Sequence, residues 1–229
     1  MKKQKQKNPP QRQASRKKQP KKRKTASSQL ERELLESGFH RVVGIDEVGR
    51  GAWAGPVVVG AYVFTKKVSL RRGVNDSKQV TRDNRVSIAK KLTLDNHKIA
   101  EGSLTLINAV GIGKTITQLI INLVAELRDD HTFFLIDGRF GYNFGENTLQ
   151  IIKGDSLHYS IAGASIIAKV YRDRLMQNFA KEYRGYGFEK NVGYPTPVHL
   201  KALKEKGVTV LHRKSFTPIH IMLEQISLL

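Results

Sequence analysis

The chain has 229 residues, which fits one large domain with an appendage better than two full domains. Its 40 lysines and arginines against 20 acids leave a formal charge of +20, so we expect a polyanionic partner, either nucleic acid or an acidic membrane surface. The absence of cysteine excludes disulfides, iron–sulfur clusters, thiolate zinc sites and a cysteine nucleophile. No apolar run approaches the roughly 18 residues that span a bilayer, which predicts a cytoplasmic protein without a membrane partner.

The charge is concentrated at the N-terminus. Residues 1–24 contain 12 Lys or Arg and no acid, whereas the rest of the chain has 28 basic and 20 acidic residues. With three prolines and almost no apolar side chains, this segment cannot bury enough surface to offset the entropy of ordering it. We therefore predict a disordered basic tail over 1–27 that adds nonspecific nucleic-acid affinity, followed by one folded domain over 28–229.

From Ser28 onward the pattern is that of a globular α/β domain. Ser28 and Glu31 have the spacing of a capping box for a short helix that ends near Glu36. In chain order, the pattern then predicts strands over 41–47 and 56–64, a helix over 81–92, a strand over 97–107, a helix over 116–127, strands over 132–136 and 148–152, and helices over 160–176 and 198–206. This order predicts a mixed sheet flanked by helices, with a C-terminal helical segment.

Two segments look like nucleotide-binding motifs and are rejected. Gly113-Lys114-Thr115 resembles the end of a P-loop, but Asn108 stands where that motif needs glycine, and no strand leads into it. Gly49-Arg50-Gly51 with Ala54 matches a loose dinucleotide fingerprint, yet a proline and a strand follow where the fingerprint needs a helix N-terminus.

Acidic residues stand where apolar strands end. Asp46 and Glu47 close the first predicted strand, Asp137 follows the run TFFLI, and Asp155 precedes the small-residue helix. Open α/β sheets build their sites at such strand ends. Four acids brought together would repel one another unless a cation lay among them, and oxygen ligands without cysteine suit Mg²⁺ or Mn²⁺. On a basic protein this predicts phosphodiester hydrolysis assisted by two metal ions, although Asp155 taken alone is equally well interpreted as a loop acid or helix cap.

The sequence also resembles a known family. The segment GIDEVGRG over 44–51, followed by Ala54-Gly55-Pro56-Val57-Val58, is similar to the signature of type 2 ribonucleases H, the bacterial ribonuclease HII. The likeness continues through Asp76-Ser77-Lys78, Asp137-Gly138, Lys153-Gly154-Asp155, the segment 164–174, Gly193-Tyr194-Pro195-Thr196 and the segment 212–216. It therefore extends in order over roughly 40–218.

This resemblance implies a ribonuclease H-like fold and an enzyme that cuts the RNA strand of RNA/DNA hybrids. It also implies incision 5′ of single ribonucleotides embedded in duplex DNA. The catalytic residues of the family correspond to Asp46, Glu47, Asp137 and Asp155, which would hold Mg²⁺ or Mn²⁺. These are the same acids that the strand-end argument selects.

The resemblance further implies contacts to nucleic acid. Gly49, Arg50 and Gly51 would read the ribose 2′-hydroxyl and its phosphate, since small residues let the backbone approach closely. Lys78 lies in a matched element and is expected to contact a phosphate. The ring of Tyr194 would stack on the neighbouring deoxyribose. The plainer interpretations are a tight turn for the glycines and a core or loop position for the tyrosine.

Other charged residues allow weaker assignments. Phosphate contacts are conceivable for several basic residues outside the tail: Lys153, Lys169, Arg172, Arg174 and Arg213. His199, His212 and His220 could be proposed as general acids, but a surface position or a satisfied hydrogen-bonding role is the better interpretation of each.

Two alternatives to a type 2 ribonuclease H stay open at this point. A noncatalytic nucleic-acid-binding protein, such as a basic ribosome-associated factor, would account for the tail and the charge but not for four acids at strand ends. A ribonuclease HIII-like enzyme is nearer, although that family lacks the Gly-Arg-Gly form and carries a folded N-terminal domain. We expect a monomer that binds RNA/DNA hybrids and ribonucleotide-containing duplex DNA.

Overall fold

The computed structural model describes residues 26–74 and 80–227. A five-stranded sheet forms the centre of the domain, with helices on both faces. The elements in chain order are α1 (Gln29–Glu36), β1 (Arg41–Val48), β2 (Val57–Phe64), α2 (Arg82–Leu92), β3 (His97–Gly102), α3 (Leu104–Val110), α4 (Ile112–Leu127), β4 (Thr132–Asp137), β5 (Thr148–Ile151), α5 (Tyr159–Glu182), α6 (Phe188–Asn191), α7 (Pro197–Lys206) and α8 (Thr217–Ser227). The predicted mixed sheet and C-terminal helical segment are confirmed.

The sheet has the strand order β3-β2-β1-β4-β5. The pairs β1–β2 and β2–β3 are antiparallel, whereas β1–β4 and β4–β5 are parallel. Ile45 of β1 lies opposite Ile136 of β4, so the next residues, Asp46 and Asp137, leave neighbouring strands at the same edge. The parallel half of the sheet therefore determines where the acids meet.

Helix α5 packs very closely on the sheet, as its small residues predict. A Cβ built on Gly44 of β1 would lie 2.1 Å from the carbonyl carbon of Ser160, and one built on Gly60 of β2 would lie 2.6 Å from the carbonyl oxygen of Ala164. The glycines are needed here because backbone meets backbone. This contact places the start of α5 directly behind the strand that carries Asp46.

The hydrophobic core has three main parts. One lies between the sheet and α5 and includes Tyr62 and Ile161, and the second lies between the opposite face and α4 and includes Ile45 and Ile120. The third consists of the C-terminal helices, which pack against the end of α5 and against a loop after β1: Ala54, Met176, Phe188, Leu203, Leu211 and Ile219. Through this third part, the C-terminal segment is joined to the loop that follows Asp46 and Glu47.

The prediction of a strand over 97–107 is wrong beyond Gly102. Strand β3 ends there, and the Ser103 hydroxyl accepts a hydrogen bond from the Leu106 N–H at 3.2 Å, which caps α3. The apolar residues after Ser103 thus pack from a helix, with Ile107 fully buried. Gly111 separates α3 from α4, so Gly113-Lys114-Thr115 lies in a helix that follows a helix, consistent with the rejection of a P-loop.

The predicted capping box at Ser28 is also wrong. Ser28 precedes α1, but its side chain makes no cap hydrogen bond. Glu31 is instead fully buried, and its Oε1 accepts hydrogen bonds from the Ser160 N–H at 2.7 Å and the Ser160 hydroxyl at 2.9 Å. The Glu31 carboxylate therefore binds a tertiary partner at the N-terminus of α5 and does not cap its own helix.

The segment before α1 is partly described. The Ser27 N–H donates to the Leu157 carbonyl at 2.9 Å, and the Ser27 carbonyl accepts from the Tyr159 N–H at 2.8 Å. Ser27, which the sequence places in the predicted disordered tail over 1–27, is thus attached to the start of α5. Residues 1–25 of that tail lie outside the described ranges, and their disorder stays a prediction. Within those ranges, no single helix is long and apolar enough to cross a membrane, and the pair α3 and α4 meets that criterion only jointly while bent by 118°.

Candidate active site

The four predicted catalytic acids line one cleft of about 510 Å³ at the carboxyl edge of the sheet. Asp46 and Glu47 belong to the end of β1, and Asp137 is the last residue of β4. Asp155 lies in a single 3₁₀ turn, Gly154–Ser156, between β5 and α5. Three separate connections at one edge of the sheet therefore bring together the acids that the sequence selected.

Asp46 is the most deeply placed of these acids, with 6% of its surface exposed. Burial raises the pKa of Asp46 well above its usual value, and the negative charges of Asp137, Glu47 and Asp155 raise it further. A hydrogen bond with the Ser165 side chain opposes this rise. The site thus contains closely spaced negative charge that the protein itself only partly compensates.

Two contacts stabilise the remaining carboxylates. Burial raises the pKa of Glu47, while Arg50, whose Nη1 lies 3.4 Å from Glu47 Oε1, lowers it. Asp137 Oδ1 accepts a hydrogen bond from the Gly154 N–H at 2.6 Å. This bond joins the end of β4 to the turn that carries Asp155.

The chemistry of these ligands fits a hard divalent cation. All four side chains offer carboxylate oxygens, which Mg²⁺ and Mn²⁺ prefer, and their mutual repulsion is what a bound cation would relieve. Among the described residues, no group of three acids or histidines is arranged as a ready-made coordination shell. The acids therefore lie in one cleft and carry excess negative charge, but they do not form a complete coordination shell.

The predicted nucleic-acid contacts lie in the same cleft. Gly49, Arg50, Gly51 and Tyr194 line it together with the acids. We term residues 49–56 the junction loop. A Cβ built on Gly51 would lie 3.8 Å from Cε1 of Tyr194, so the loop and the ring face each other across a gap that is kept free of side-chain atoms. Lys78 lies outside the described residues, and its phosphate contact stays a prediction.

The junction loop is attached to the segment that carries Tyr194. The N–H groups of Trp53 and Ala54 both donate to the Gly193 carbonyl, at 2.8 and 3.2 Å. A Cβ on Gly193 would come within 2.2 Å of the Ala54 carbonyl oxygen, so the two backbones are in direct contact. Two segments far apart in the chain thus form one rigid wall of the cleft.

Two of the conceivable phosphate ligands are not at the surface. Arg172 and Arg213 are fully buried and donate to backbone carbonyls beneath the junction loop, so the interpretation as phosphate contacts is wrong for both. Lys169 does line the cleft and forms an ion pair with Asp173 at 2.6 Å. Helical spacing from Ser165 to Lys169 and Arg172 places these residues on one stripe of α5, a signal in the sequence that could have identified the group.

The two buried histidines support the Tyr194 segment through hydrogen bonds. The Thr209 N–H donates to His212 Nδ1 at 2.9 Å, so neutral His212 carries its proton on Nε2 and donates to His199 Nε2 at 3.0 Å. His199 then carries its proton on Nδ1, which donates to the Tyr194 carbonyl at 2.9 Å. Both act as satisfied structural histidines, whereas His220 is exposed.

Comparison with known proteins decides the family. The model of the ribonuclease HII family matches residues 43–219, which is most of the chain. The chain belongs to the ribonuclease HII family. A curated ribonuclease HII from Chlamydia trachomatis serovar D is 42% identical over 195 residues, covering 83% of this chain and 88% of that protein.

Solved structures agree on the ribonuclease H-like fold. The ribonuclease H2 from Pyrococcus horikoshii OT3 superposes with a TM-score of 0.68 at 24% identity, covering 82% of this chain and 99% of that one. Bst-RNase HIII in complex with Mn²⁺ superposes with a TM-score of 0.58 at 20% identity, covering 84% and 72%. At these identities the likeness establishes the fold alone.

As a ribonuclease HII, the protein is a type 2 ribonuclease H, an endoribonuclease of RNA/DNA hybrids in a family that depends on divalent metal ions. The family match sets aside the noncatalytic alternative, and it favours ribonuclease HII over a ribonuclease HIII-like enzyme.

Proposed function

We propose that this ribonuclease HII incises duplex DNA on the 5′ side of a single embedded ribonucleotide, besides cutting RNA/DNA hybrids. The observation that carries the proposal is the composition of one cleft, which is lined by the four acids together with Gly49–Gly51 and Tyr194. Hydrolysis breaks the P–O3′ bond, so the ribonucleotide keeps a 5′-phosphate and the upstream strand ends in a 3′-hydroxyl. Such an incision begins the removal of misincorporated ribonucleotides and of RNA primers.

In this proposal Asp46, Glu47, Asp137 and Asp155 hold two divalent ions, Mg²⁺ or Mn²⁺. When bound, such ions supply an activated water and stabilise the leaving oxygen. The protein contributes rigidity: Asp137 is fixed by the Gly154 N–H, and the charge of Arg50 partly balances Glu47. Bound cations would relieve the repulsion among these acids in the free enzyme.

The junction loop and Tyr194 supply specificity in the same proposal. A backbone without Cβ atoms can approach the sugar closely, and the 2′-hydroxyl is the group that distinguishes ribose from deoxyribose. Tyr194 presents an apolar face to the next sugar, which favours a sugar that lacks the hydroxyl. A monomer that acts in the cytoplasm on such duplexes, with the basic tail adding phosphate contacts, completes the proposal.

The test is a labelled DNA duplex with one ribonucleotide, incubated with the enzyme with and without Mg²⁺ or Mn²⁺. We expect one incision on the 5′ side of the ribonucleotide, dependent on the metal. An enzyme that cuts a continuous RNA/DNA hybrid but leaves this duplex intact would contradict the proposal and indicate a specificity of the ribonuclease HIII kind.

A second experiment assigns Tyr194. Tyr194→Ala should lose activity selectively on the single-ribonucleotide duplex, by about 1–3 kcal/mol in transition-state free energy if its stacking resembles base–aromatic stacking. Tyr171→Ala is the matched control, because Tyr171 is an exposed tyrosine on α5 whose hydroxyl bonds to Glu101 of the edge strand β3. Equal losses on the duplex and on a continuous hybrid would assign Tyr194 to the scaffold instead.

A further inference from the structure

Arg172 lies buried beneath the junction loop and binds backbone carbonyls of both segments that form the cleft wall. It donates to three carbonyl oxygens, those of Ala54 at 3.1 Å, Pro56 at 2.8 Å and Val192 at 2.9 Å. No part of its side chain reaches solvent. One guanidinium thus connects the loop after β1 to the segment that precedes Tyr194.

Arg213 holds the same loop from a different part of the chain. Its Nε donates to the Gly55 carbonyl at 3.0 Å, and its Nη1 donates to the Arg50 carbonyl at 2.9 Å. Together the two arginines bind the carbonyls at 50, 54, 55 and 56, which are half of the junction loop. Within the described ranges, neither arginine forms a salt bridge.

Burying two cations beside neutral carbonyls carries a large desolvation cost. Apolar side chains of similar volume often stabilise a protein as well or better, because they avoid the desolvation of charge. A guanidinium adds something that an apolar group lacks, namely several donors in a fixed plane that determine the direction of several carbonyls. The arrangement is therefore better explained by the orientation of the loop than by its stability.

The Arg50 carbonyl determines where the next amide points. None of the described peptide bonds is cis, and the C=O and N–H of a planar trans peptide point in opposite directions. Because Arg213 holds the Arg50 carbonyl on the buried side, the Gly51 N–H is directed to the other side, where Gly51 is exposed and lines the cleft.

Arg172 acts in the same way on the Tyr194 segment. Val192 has φ +44° and ψ +36°, a left-handed backbone that a β-branched residue seldom adopts. Its carbonyl is held by Arg172, and the N–H of the following Gly193 donates to the Asn191 side chain at 2.8 Å. The ring of Tyr194 then lies with its centroid 5.9 Å from Arg172 Cζ.

We propose that Arg172 and Arg213 are positioning residues for ribonucleotide recognition: they hold the junction loop so that the Gly51 N–H faces the 2′-hydroxyl and Tyr194 faces the adjacent sugar. This rests on the proposed recognition of a single ribonucleotide by the same cleft. Neither arginine touches the substrate. Their effect is transmitted through the carbonyls of the loop.

The test compares Arg213→Lys and Arg172→Lys with the wild-type enzyme. Lysine keeps the positive charge but cannot hold two or three carbonyls in one plane. For each enzyme, kcat/KM is measured on the single-ribonucleotide duplex, and an all-DNA duplex of the same sequence is used as a competitor to obtain its inhibition constant. Arg41→Lys is the matched control, because Arg41 also donates to a backbone carbonyl, that of Leu127, at the far end of β1.

We expect kcat/KM to fall about fivefold or more in each junction variant, as the loss of one oriented hydrogen bond would produce. The inhibition constant of the all-DNA duplex should stay within about twofold, since overall charge is preserved. Arg41→Lys should lower the melting temperature and change neither kinetic quantity. Assays are run well below the melting temperature of the least stable variant, and the two arginines provide independent tests.

Two outcomes would overturn the inference. One is an unchanged kcat/KM in both lysine variants. The other is a proportional loss in kcat/KM and in affinity for the all-DNA competitor, which would assign the arginines to general electrostatic attraction. A wild-type enzyme that leaves the single-ribonucleotide duplex uncut would instead refute the proposed function, so the two failures are distinguishable.

Discussion

Arg172 lies directly against Gly49: a Cβ built on Gly49 would come within 2.1 Å of Arg172 Nε. Gly49 also has φ +91°, a conformation that glycine adopts without strain and other residues do not. A Cβ built on Gly51, two residues on, would make only an ordinary contact with Tyr194, at 3.8 Å. The fold itself therefore requires glycine at position 49, whereas a requirement for glycine at position 51 would come from the proposed ligand.

Gly49→Ala and Gly51→Ala should separate these reasons. We expect Gly49→Ala to lower the free energy of unfolding by about 1–3 kcal/mol, from backbone strain and displacement of Arg172. Gly51→Ala should leave stability nearly unchanged and weaken binding of the single-ribonucleotide duplex, because its methyl group occupies the gap that faces Tyr194. Urea unfolding and duplex titration of both variants measure this, and equal stabilities would contradict the interpretation of Gly49.

Removing one carboxylate should separate catalysis from binding. Asp137→Asn and Asp155→Asn keep the shape of the side chain, so cleavage should collapse while duplex binding persists or improves through reduced repulsion of phosphate. Added Mg²⁺ should raise the melting temperature of the wild-type enzyme by mass action, and raise that of the variants less. Asp130→Asn, in an exposed loop at the opposite edge of the sheet, is the control. Near wild-type cleavage by either variant at saturating metal would refute the site.

The buried His212 should make the fold sensitive to acid. Burial and the neighbouring His199 lower the pKa of His212 to about 4, whereas an unfolded histidine titrates near about 6.5. Between these two pKa values the unfolded chain binds a proton at His212 and the folded protein does not. The contribution of neutral His212 to stability is therefore complete above about pH 6.5 and is lost as pH falls toward about 4.

The slope should approach about 1.4 kcal/mol per pH unit within that window. His212→Gln removes the titrating group. The free energy of unfolding of this variant should be lower than that of the wild type at neutral pH, and it should depend less steeply on pH. His220→Gln, an exposed control, should keep the wild-type slope. Urea unfolding over a pH series provides the comparison, and parallel curves for wild type and His212→Gln would exclude this origin.

Glu31 should be a determinant of stability rather than activity. Its Oε1 is the acceptor for both the N–H and the hydroxyl of Ser160, in a fully buried position. Glu31→Ala leaves those donors unsatisfied, which should cost about 1–3 kcal/mol. Glu33→Ala, on the exposed side of the same helix, should change stability by less than about 0.5 kcal/mol. Similar losses in the two variants would mean that helix propensity, not the buried contact, matters here.

The basic tail should affect affinity but not chemistry. Deletion of residues 1–25 removes 12 basic side chains and keeps Ala26 and Ser27, which contact the start of α5. Each lost phosphate contact should reduce the slope of log K against log salt by about 0.9. Single-turnover cleavage at saturating enzyme should hardly change. A large fall in that rate would place the tail in the catalytic machinery.

Much of the site could be predicted because its signals are local. Apolar runs that end in Asp46-Glu47 and in Asp137 indicate strands that leave the core at a charged edge, and helical spacing predicted α4 and α5. The segment GIDEVGRG over 44–51 and the matched segments that follow it carry the family resemblance. The predicted capping box at Ser28 is wrong because Glu31 binds a tertiary partner instead of its own helix. The predicted strand beyond Gly102 is wrong because Ser103 caps a helix there.

Only the tertiary structure decided the roles of the charged residues that are buried. Arg172 and Arg213 have the chemistry of surface cations, yet four of their five carbonyl partners lie more than a hundred residues away in the chain. Burial of a charge is favourable only where several acceptors converge on it, and such convergence is a property of the folded backbone rather than of any short segment. The sequence by itself therefore determined which acids could meet, whereas the fold decided what holds the junction loop in place.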